Sequence, residues 1–112
     1  LKMQFEGGLG SAGYDTGHLE EHVFDTNLGR VMTHNLIDYK WRTFNELPNF
    51  DTSVLESRFP TANPFGAIGI GEITGAGGPP AILMAVENAI GGIEINEYPA
   101  TPDRVLKALG KA

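Results

Sequence analysis

A single glutamate ends a glycine-rich run in the second half of the chain, which reads Gly66-Ala67-Ile68-Gly69-Ile70-Gly71-Glu72. Glycine lets a backbone approach a ligand closely, because it has no Cβ atom. A carboxylate on such a backbone can act as a general base where bulkier side chains would block the substrate. For an isolated motif this short, an acid on a solvated loop is the commoner outcome. The interpretation of Glu72 therefore depends on the rest of the sequence.

The same glycines also suggest phosphate binding. Gly69, Gly71 and Gly75 form a Gly-x-Gly-x-x-x-Gly pattern ahead of a predicted helix. A dinucleotide-binding loop follows a buried strand within a strand–helix–strand unit. Here Asn63-Pro64-Phe65 precedes the glycines, and no Gly-Lys-Ser/Thr follows them. A nucleotide-binding module is therefore the weaker hypothesis.

A histidine pair could in principle bind a metal ion, since His18 and His22 are four residues apart. On a helix this spacing places both imidazoles on one face. Leu19 occupies the position of the glutamate in a His-Glu-x-x-His motif, and the neighbouring residues are typical of a strand. We therefore assign no metal ligand and interpret both as surface or hydrogen-bonded histidines.

The elements around Glu72 can be predicted from composition and spacing. Residues 63–78 contain six glycines and no apolar period, so we expect a long loop. Pro79-Pro80 predicts the start of a helix, because the first turn does not need the missing N–H. Apolar residues then repeat at helical spacing until Gly91-Gly92. They are Ile82, Leu83, Val86, Ala89 and Ile90.

The remaining elements complete a single α+β domain, or a fragment of a larger one, spanning residues 1–112. Residues 19–24 and 30–32 predict a hairpin with Gly29 at positive φ. Further strands are predicted at 51–57 and, from alternating apolar and polar residues, at 93–98. Thr101-Pro102 predicts the capped start of a last helix that buries Val105, Leu106 and Leu109. We therefore expect a small mixed β-sheet with packed helices near 79–90 and 101–109.

Composition narrows the class of partner. The net charge is −6, the pI is near 4.9 and there are only eight Lys and Arg, which argues against nucleic acid or an anionic membrane. With no cysteine, the chain cannot ligate an iron-sulfur cluster.

Fifteen glycines, about twice the usual share, lie mostly within 7–17 and 66–78, where we expect close backbone approach.

Several short motifs follow one another along nearly the whole chain. They are Gln4-Phe5-Glu6-Gly7-Gly8, Glu20-Glu21-His22-Val23-Phe24-Asp25, Gly29-Arg30-Val31, Asn35-Leu36-Ile37-Asp38-Tyr39, Asn63-Pro64-Phe65-Gly66-Ala67, Gly69-Ile70-Gly71-Glu72, Pro80-Ala81-Ile82, Asn88-Ala89 and Thr101-Pro102-Asp103-Arg104-Val105-Leu106. In order and spacing they resemble the C-terminal part of the molybdopterin-binding (large) subunit of the xanthine dehydrogenase/aldehyde oxidoreductase family. The resemblance runs from Gln4 to about Leu109.

The resemblance implies a role for each site residue. Glu72 is implied to be the catalytic base, which removes a proton from the hydroxo ligand of molybdenum during oxidation of an aldehyde or an N-heterocycle, with water as the oxygen source. Gln4, Gly69, Ile70 and Gly71 are implied to contact a molybdopterin cofactor, either in its simple form or as the cytosine dinucleotide. An amide such as that of Gln4 can both donate and accept hydrogen bonds.

The resemblance also implies partners outside this chain. They are the remainder of the molybdenum subunit and the domains or subunits that hold a 2Fe-2S cluster and FAD. A cytoplasmic enzyme is implied, and the isolated chain is expected to be inactive. The alternative is a binding or interaction domain of the same fold without catalysis.

Two departures from the family's pattern stand out. Residues 9–17 are more glycine-rich and one residue longer than the family's segment, which affects the expected pterin contacts. Ile73 replaces the proline that usually follows the glutamate, which bears on the substrate rather than on the base.

Overall fold

The computed structural model describes residues 1–55 and 63–112. Its helices are α1 (Lys2–Gly7), a π-helical segment (Gly8–Tyr14), α2 (Asp15–His18), a short 3-10 helix (Phe44–Glu46), α3 (Ile73–Ala89) and α4 (Pro102–Ala108), and its strands are β1 (Phe24–Asp25) and β2 (Arg30–Val31). The predicted α+β class is confirmed. In this part of the chain, no helix is long and apolar enough to cross a membrane.

The predicted hairpin is present, with shorter strands than expected. Phe24 pairs with Val31 and Asp25 with Arg30 in an antiparallel register. In the turn, Asp25 Oδ1 accepts hydrogen bonds from the backbone N–H groups of Asn27 and Leu28, at 2.9 and 3.1 Å. Gly29 has a φ of 61°, a conformation that glycine adopts without steric cost. The turn residues therefore set this hairpin.

The sheet is smaller than predicted. Within residues 1–55 and 63–112 it contains only β1 and β2. The described part of the predicted strand 51–57, residues 51–55, forms no strand, and 56–57 lie outside the described residues. Residues 93–98 form no strand either, because the Ile95 N–H donates to Glu87 Oε1 at 2.9 Å instead of to a neighbouring strand. The alternation there correctly indicated burial of Ile95, which is 6% exposed.

Helix α3 begins at Ile73, so the predicted start at Pro79 is wrong and both prolines lie inside the helix. Proline removes a helical hydrogen bond and clashes with a Cβ atom on the preceding residue. Gly78, which precedes Pro79, has no Cβ atom and avoids that second clash. Of the predicted loop 63–78, only 63–72 is irregular.

The two glycine clusters pack against each other. The first forms much of the helical run from Lys2 to His18, and the later part of the second, from Gly75 to Gly78, lies in the first turns of α3. A Cβ atom added to Gly78 would lie 2.8 Å from the carbonyl carbon of Gly13, and one added to Gly17 would lie 2.7 Å from Cβ of Ile82. Both distances are shorter than a non-bonded carbon contact allows. The glycines therefore permit two helical backbones to touch.

Helix α4 begins at Pro102, as predicted, after Thr101 at the N-cap position. The Thr101 hydroxyl makes no capping hydrogen bond to the described residues, so the predicted hydroxyl cap is wrong. Arg104 instead anchors the helix, by donating to the carbonyl oxygen of Pro99 at 2.8 Å and pairing with Glu21. Val105 and Leu109 are half-buried, but Leu106 is 43% exposed.

The described residues have almost no apolar core. Only Ile95 and Ala100 are buried hydrophobic residues. The radius of gyration is 17.5 Å, against about 13 Å for a compact domain of this length. Several large apolar side chains are almost fully exposed, among them Leu36 (90%), Ile37 (93%) and Phe65 (89%). Packing within the described residues therefore covers few of these side chains.

Candidate functional site

Glu72 lies where the irregular segment 63–72 meets α3. It occupies the N-cap position, with φ −103° and ψ 0°, and its carboxylate makes no capping hydrogen bond to the described residues. Its carbonyl oxygen accepts hydrogen bonds from the N–H groups of Gly75 and Ala76, at 3.0 and 3.1 Å. The first turn of α3 thus fixes the backbone of Glu72, while the residue itself is exposed.

The segment before Glu72 is held by Asn63. Asn63 Oδ1 accepts hydrogen bonds from the N–H groups of Phe65 and Ala67, at 3.0 and 3.2 Å, and its Nδ2 donates to the carbonyl oxygen of Ala67 at 2.6 Å. Gly66 has a φ of 64°, which favours glycine. These contacts give the loop a defined turn before the Gly-x-Gly-Glu motif.

A hydrogen bond connects two of the predicted site residues across the chain. Gln4 Nε2 donates to the carbonyl oxygen of Gly71 at 2.8 Å. Gln4 lies on α1 and Gly71 directly precedes Glu72. The structure therefore brings Gln4, Gly71 and Glu72 together, although Gln4 and Glu72 are far apart in the sequence.

A cleft of about 320 Å³ lies beside these residues. It is lined by Gly8, Gly71, Glu72, Gly75 and Ala76. Apart from Glu72, no lining residue has a side chain larger than a methyl group. No spacing in the sequence places Gly8 or Ala76 beside Glu72, because only the helix packing brings them there.

Gly69 and Gly71 differ from the packed glycines. A Cβ atom added at either position would meet no described atom within 4 Å, and neither residue is among those with positive φ. Neither packing within the described chain nor backbone conformation requires glycine there. Ile70, between them, is half-buried. Gly69 and Ile70 precede the cleft but do not line it.

The histidine pair is not arranged as a metal site. His18 ends α2 and His22 lies beyond the helix. His18 Nδ1 lies 2.8 Å from the carbonyl oxygen of Tyr14, and the ring of His22 lies 5.7 Å from the ring of Tyr39. Across residues 1–55 and 63–112, no group of three or more His, Cys, Asp or Glu side chains is placed to hold a metal ion.

The nucleotide hypothesis gains no support from the backbone. The pattern Gly69, Gly71, Gly75 does precede a helix, but residues 63–72 contain no strand. A dinucleotide-binding loop needs a buried strand there. Among the described residues, the pattern therefore lacks the strand that would make it a phosphate site.

A second polar cluster was not predicted as a site, although Glu20 and Tyr39 both belong to motifs that carry the family resemblance. Tyr39 donates from its hydroxyl to Glu20 Oε2 at 2.7 Å. This hydrogen bond, with a smaller contribution from burial, raises the pKa of Tyr39 to about 12. The two residues line a cavity of about 320 Å³ with Thr16, Glu21, His22, Tyr98, Pro99 and Arg104. The separation of 19 residues fits no helical or strand spacing, which is why the sequence did not predict it.

Comparison with known proteins identifies the family. The chain is 34% identical over 88% of its length to the gamma subunit of the 6-hydroxypseudooxynicotine dehydrogenase complex of Paenarthrobacter nicotinovorans. It is 31% identical over 91% of its length to the aldehyde oxidoreductase molybdenum-binding subunit PaoC of Escherichia coli (strain K12). This chain belongs to the xanthine dehydrogenase/aldehyde oxidoreductase family of molybdenum-binding subunits.

The match covers a small part of each relative. The chain spans 12% of the dehydrogenase gamma subunit and 14% of PaoC. It also matches the xanthine dehydrogenase molybdenum-binding subunit of Escherichia coli O157:H7, with 34% identity over 91% of the chain and 13% of that subunit. No family model matches the chain.

The residues around Glu72 are compatible with a neighbouring molybdenum cofactor. The cleft walls are glycine and alanine, and Gly71 presents open space where a side chain would otherwise stand. The amide of Gln4 donates to Gly71, which lines the cleft. An amide can both donate and accept hydrogen bonds. This set suits a cofactor that brings its own metal rather than a metal held by side chains of this chain.

Proposed function

We propose that this chain carries the general base of a molybdenum-dependent hydroxylase or dehydrogenase that oxidises an aldehyde or an N-heterocycle with water as the oxygen source. The observation that carries the proposal is the hydrogen bond from Gln4 to Gly71. It joins the two motifs that the resemblance assigns to cofactor and base. Both motifs also border a cleft, whose lining residues other than Glu72 are glycine and alanine.

Each site residue has a defined task in this proposal. Bound molybdenum cofactor, in its simple or cytosine dinucleotide form, would supply the two-electron oxidation. Glu72 takes up a proton on its carboxylate as water-derived oxygen is transferred to the substrate. Gln4 contacts the pterin through its amide, and Gly69, Ile70 and Gly71 bring their backbone close to it. Glycine at 69 and 71 keeps this approach open.

Exposed apolar side chains support the proposal that another part of the enzyme covers this chain. Leu36 and Ile37 are held in an ordered turn, in which Asn35 Oδ1 accepts from the N–H groups of Ile37 and Asp38 at 2.9 and 3.2 Å. Ordering a turn that displays two apolar side chains to water is unfavourable unless another surface covers them. We assign that surface to the remainder of the molybdenum subunit.

The redox partners must be elsewhere in the enzyme. The chain has no cysteine, so a 2Fe-2S cluster needs ligands from another domain or subunit. We place FAD there as well, and we assign the assembled enzyme to the cytoplasm as the family resemblance implies. The isolated chain is then expected to be inactive.

The alternative is a binding domain of the same fold that performs no chemistry. The exposure of Glu72 in this chain favours that alternative, because a base in a working site is usually shielded from bulk water. The catalytic proposal requires the cofactor and the rest of the subunit to provide that shielding.

Substrate turnover by the assembled enzyme with Glu72→Gln tests the proposal. We expect turnover to fall by roughly two to four orders of magnitude while molybdenum content and folding are retained. Glu94→Gln is the matched control, since it removes the same charge from an exposed residue away from the cleft. Near-normal turnover of Glu72→Gln would refute the role of the base and leave the non-catalytic binding domain as the remaining interpretation.

A further inference from the structure

The backbone on both sides of Glu72 is held by hydrogen bonds from different helices. The carbonyl group of Gly71 and the N–H group of Glu72 belong to one planar peptide unit. Gln4 Nε2 holds that unit through its carbonyl oxygen, at 2.8 Å. The next peptide unit is held through the carbonyl oxygen of Glu72, which accepts from Gly75 and Ala76.

Holding both peptide units restrains φ and ψ of Glu72, because each angle is a rotation of one flanking unit about a bond to the Cα atom. The direction of the Cα–Cβ bond follows from those angles. The start of α3 supplies one restraint from within its own helix. The other comes from α1, so it depends on how α1 is placed against α3.

The contact that places α1 against α3 lies next to this hydrogen bond. Gly8 directly follows α1, and a Cβ atom there would overlap the side chain of Thr74 in the first turn of α3. Glycine at residue 8 therefore leaves room for the Thr74 side chain where the two helical segments approach each other. This contact brings Gln4 within reach of Gly71.

We propose that Gln4 is a positioning residue, which aims the Glu72 carboxylate by holding the Gly71–Glu72 peptide unit. This role rests on the proposed function of Glu72 and is additional to the pterin contact implied for Gln4. One amide can serve both purposes, since it has two N–H groups and an acceptor oxygen. The N–H group given to Gly71 leaves the other two functions for the cofactor.

The test uses the assembled enzyme with Gln4→Met, which keeps the length of the side chain and removes its donor. We expect kcat to fall by roughly 10- to 100-fold, as for a misplaced catalytic group, with KM changed less than about threefold and molybdenum content unchanged. Amide hydrogen exchange in residues 69–76 should become roughly 3- to 10-fold faster, as expected when one hydrogen bond is lost. Lys2→Gln, at an exposed position of α1, should change none of these.

Two results would overturn the positioning role. One is normal kcat in Gln4→Met, and the other is a loss of activity that parallels a loss of molybdenum, which would assign Gln4 to cofactor binding alone. If Gln4→Met does not fold, Gln4→Glu repeats the test, because an ionised carboxylate of the same shape cannot donate to Gly71.

A double variant separates this inference from the proposed function. If Gln4 acts through Glu72, Gln4→Met adds little further loss of kcat to Glu72→Gln. Additive losses would overturn the inference. Normal turnover of Glu72→Gln alone would refute the proposed function instead, whereas a silent Glu72→Gln with a fully active Gln4→Met would refute only the positioning role.

Discussion

Arg42 Nη1 lies 2.7 Å from Asp15 Oδ2, and the side chain of Asp15 has no exposed surface. Arg42 also donates to the carbonyl oxygen of Gly10. The guanidinium thereby ties the segment after the hairpin to the glycine-rich helical run. Asp15 and Arg42 thus form a largely buried ion pair, since the Arg42 side chain is only 12% exposed.

Removing Arg42 should weaken this helical run. Arg42→Met leaves a buried carboxylate without its cation, which costs about 3–5 kcal/mol. Native-state hydrogen exchange of Lys2–His18 in the assembled enzyme measures the local stability. Lys40→Met, an exposed neighbour, is the control and should change it little. Equal exchange in both variants would mean that the pair does not hold the run in place.

Substitution by alanine should have opposite effects on stability at two adjacent glycines of α3. Gly78→Ala forces a Cβ atom into Gly13 and should destabilise by about 1–3 kcal/mol. Gly77→Ala meets no described atom within 4 Å and should stabilise the helix by about 0.5–1 kcal/mol. Native-state hydrogen exchange of α3 in the assembled enzyme, with each variant beside the unmodified protein, compares the two changes directly. The same sign for both would contradict the observed packing.

Tyr39 should make stability depend on pH in the alkaline range. Its pKa is raised in the folded state from 10.0 to about 12, chiefly by the hydrogen bond to Glu20. The protonated phenol is thus favoured by folding, so this contribution is fully present below pH 10.0 and is lost as pH rises towards about 12. Denaturant unfolding of the assembled enzyme across this range, with Tyr39→Phe as reference, should show the stabilities of the two proteins converging as pH rises. A constant difference would argue against this hydrogen bond.

The isolated chain should lack a cooperative unfolding transition. Two buried hydrophobic residues in the described chain cannot offset the conformational entropy of ordering more than a hundred residues. We expect strong binding of a dye that reports exposed apolar surface, a broad thermal profile and no substrate turnover. A sharp transition at a reproducible temperature would contradict this expectation.

Local signals in the sequence predicted the local elements. Gly29 in the hairpin turn and Pro102 at the start of α4 act through neighbouring residues, and both elements are present. The start of α3 was misplaced because Pro79-Pro80 is a strong local signal for a helix start. It is overridden by the packing of Gly78 on Gly13, a contact between segments far apart in the sequence.

The residues of the site were named from the sequence, but their arrangement was not. Resemblance pointed to Gln4 and Glu72, and no pattern indicated that Gln4 would bond to Gly71. The prediction of a strand at 93–98 was wrong for a similar reason. Alternation reports which side chain is buried, but it cannot show that Glu87 takes the N–H of Ile95.

The packing of the two glycine clusters also limits how this segment can be exchanged between relatives. Residues 2–18 and 73–89 fit only as a matched pair, since each cluster leaves space for the backbone of the other. A chimera whose imported stretch lacks glycine at position 13, 17 or 78 would bring a side chain into that space. Recombination therefore preserves this packing only where the incoming segment keeps glycine at those three positions.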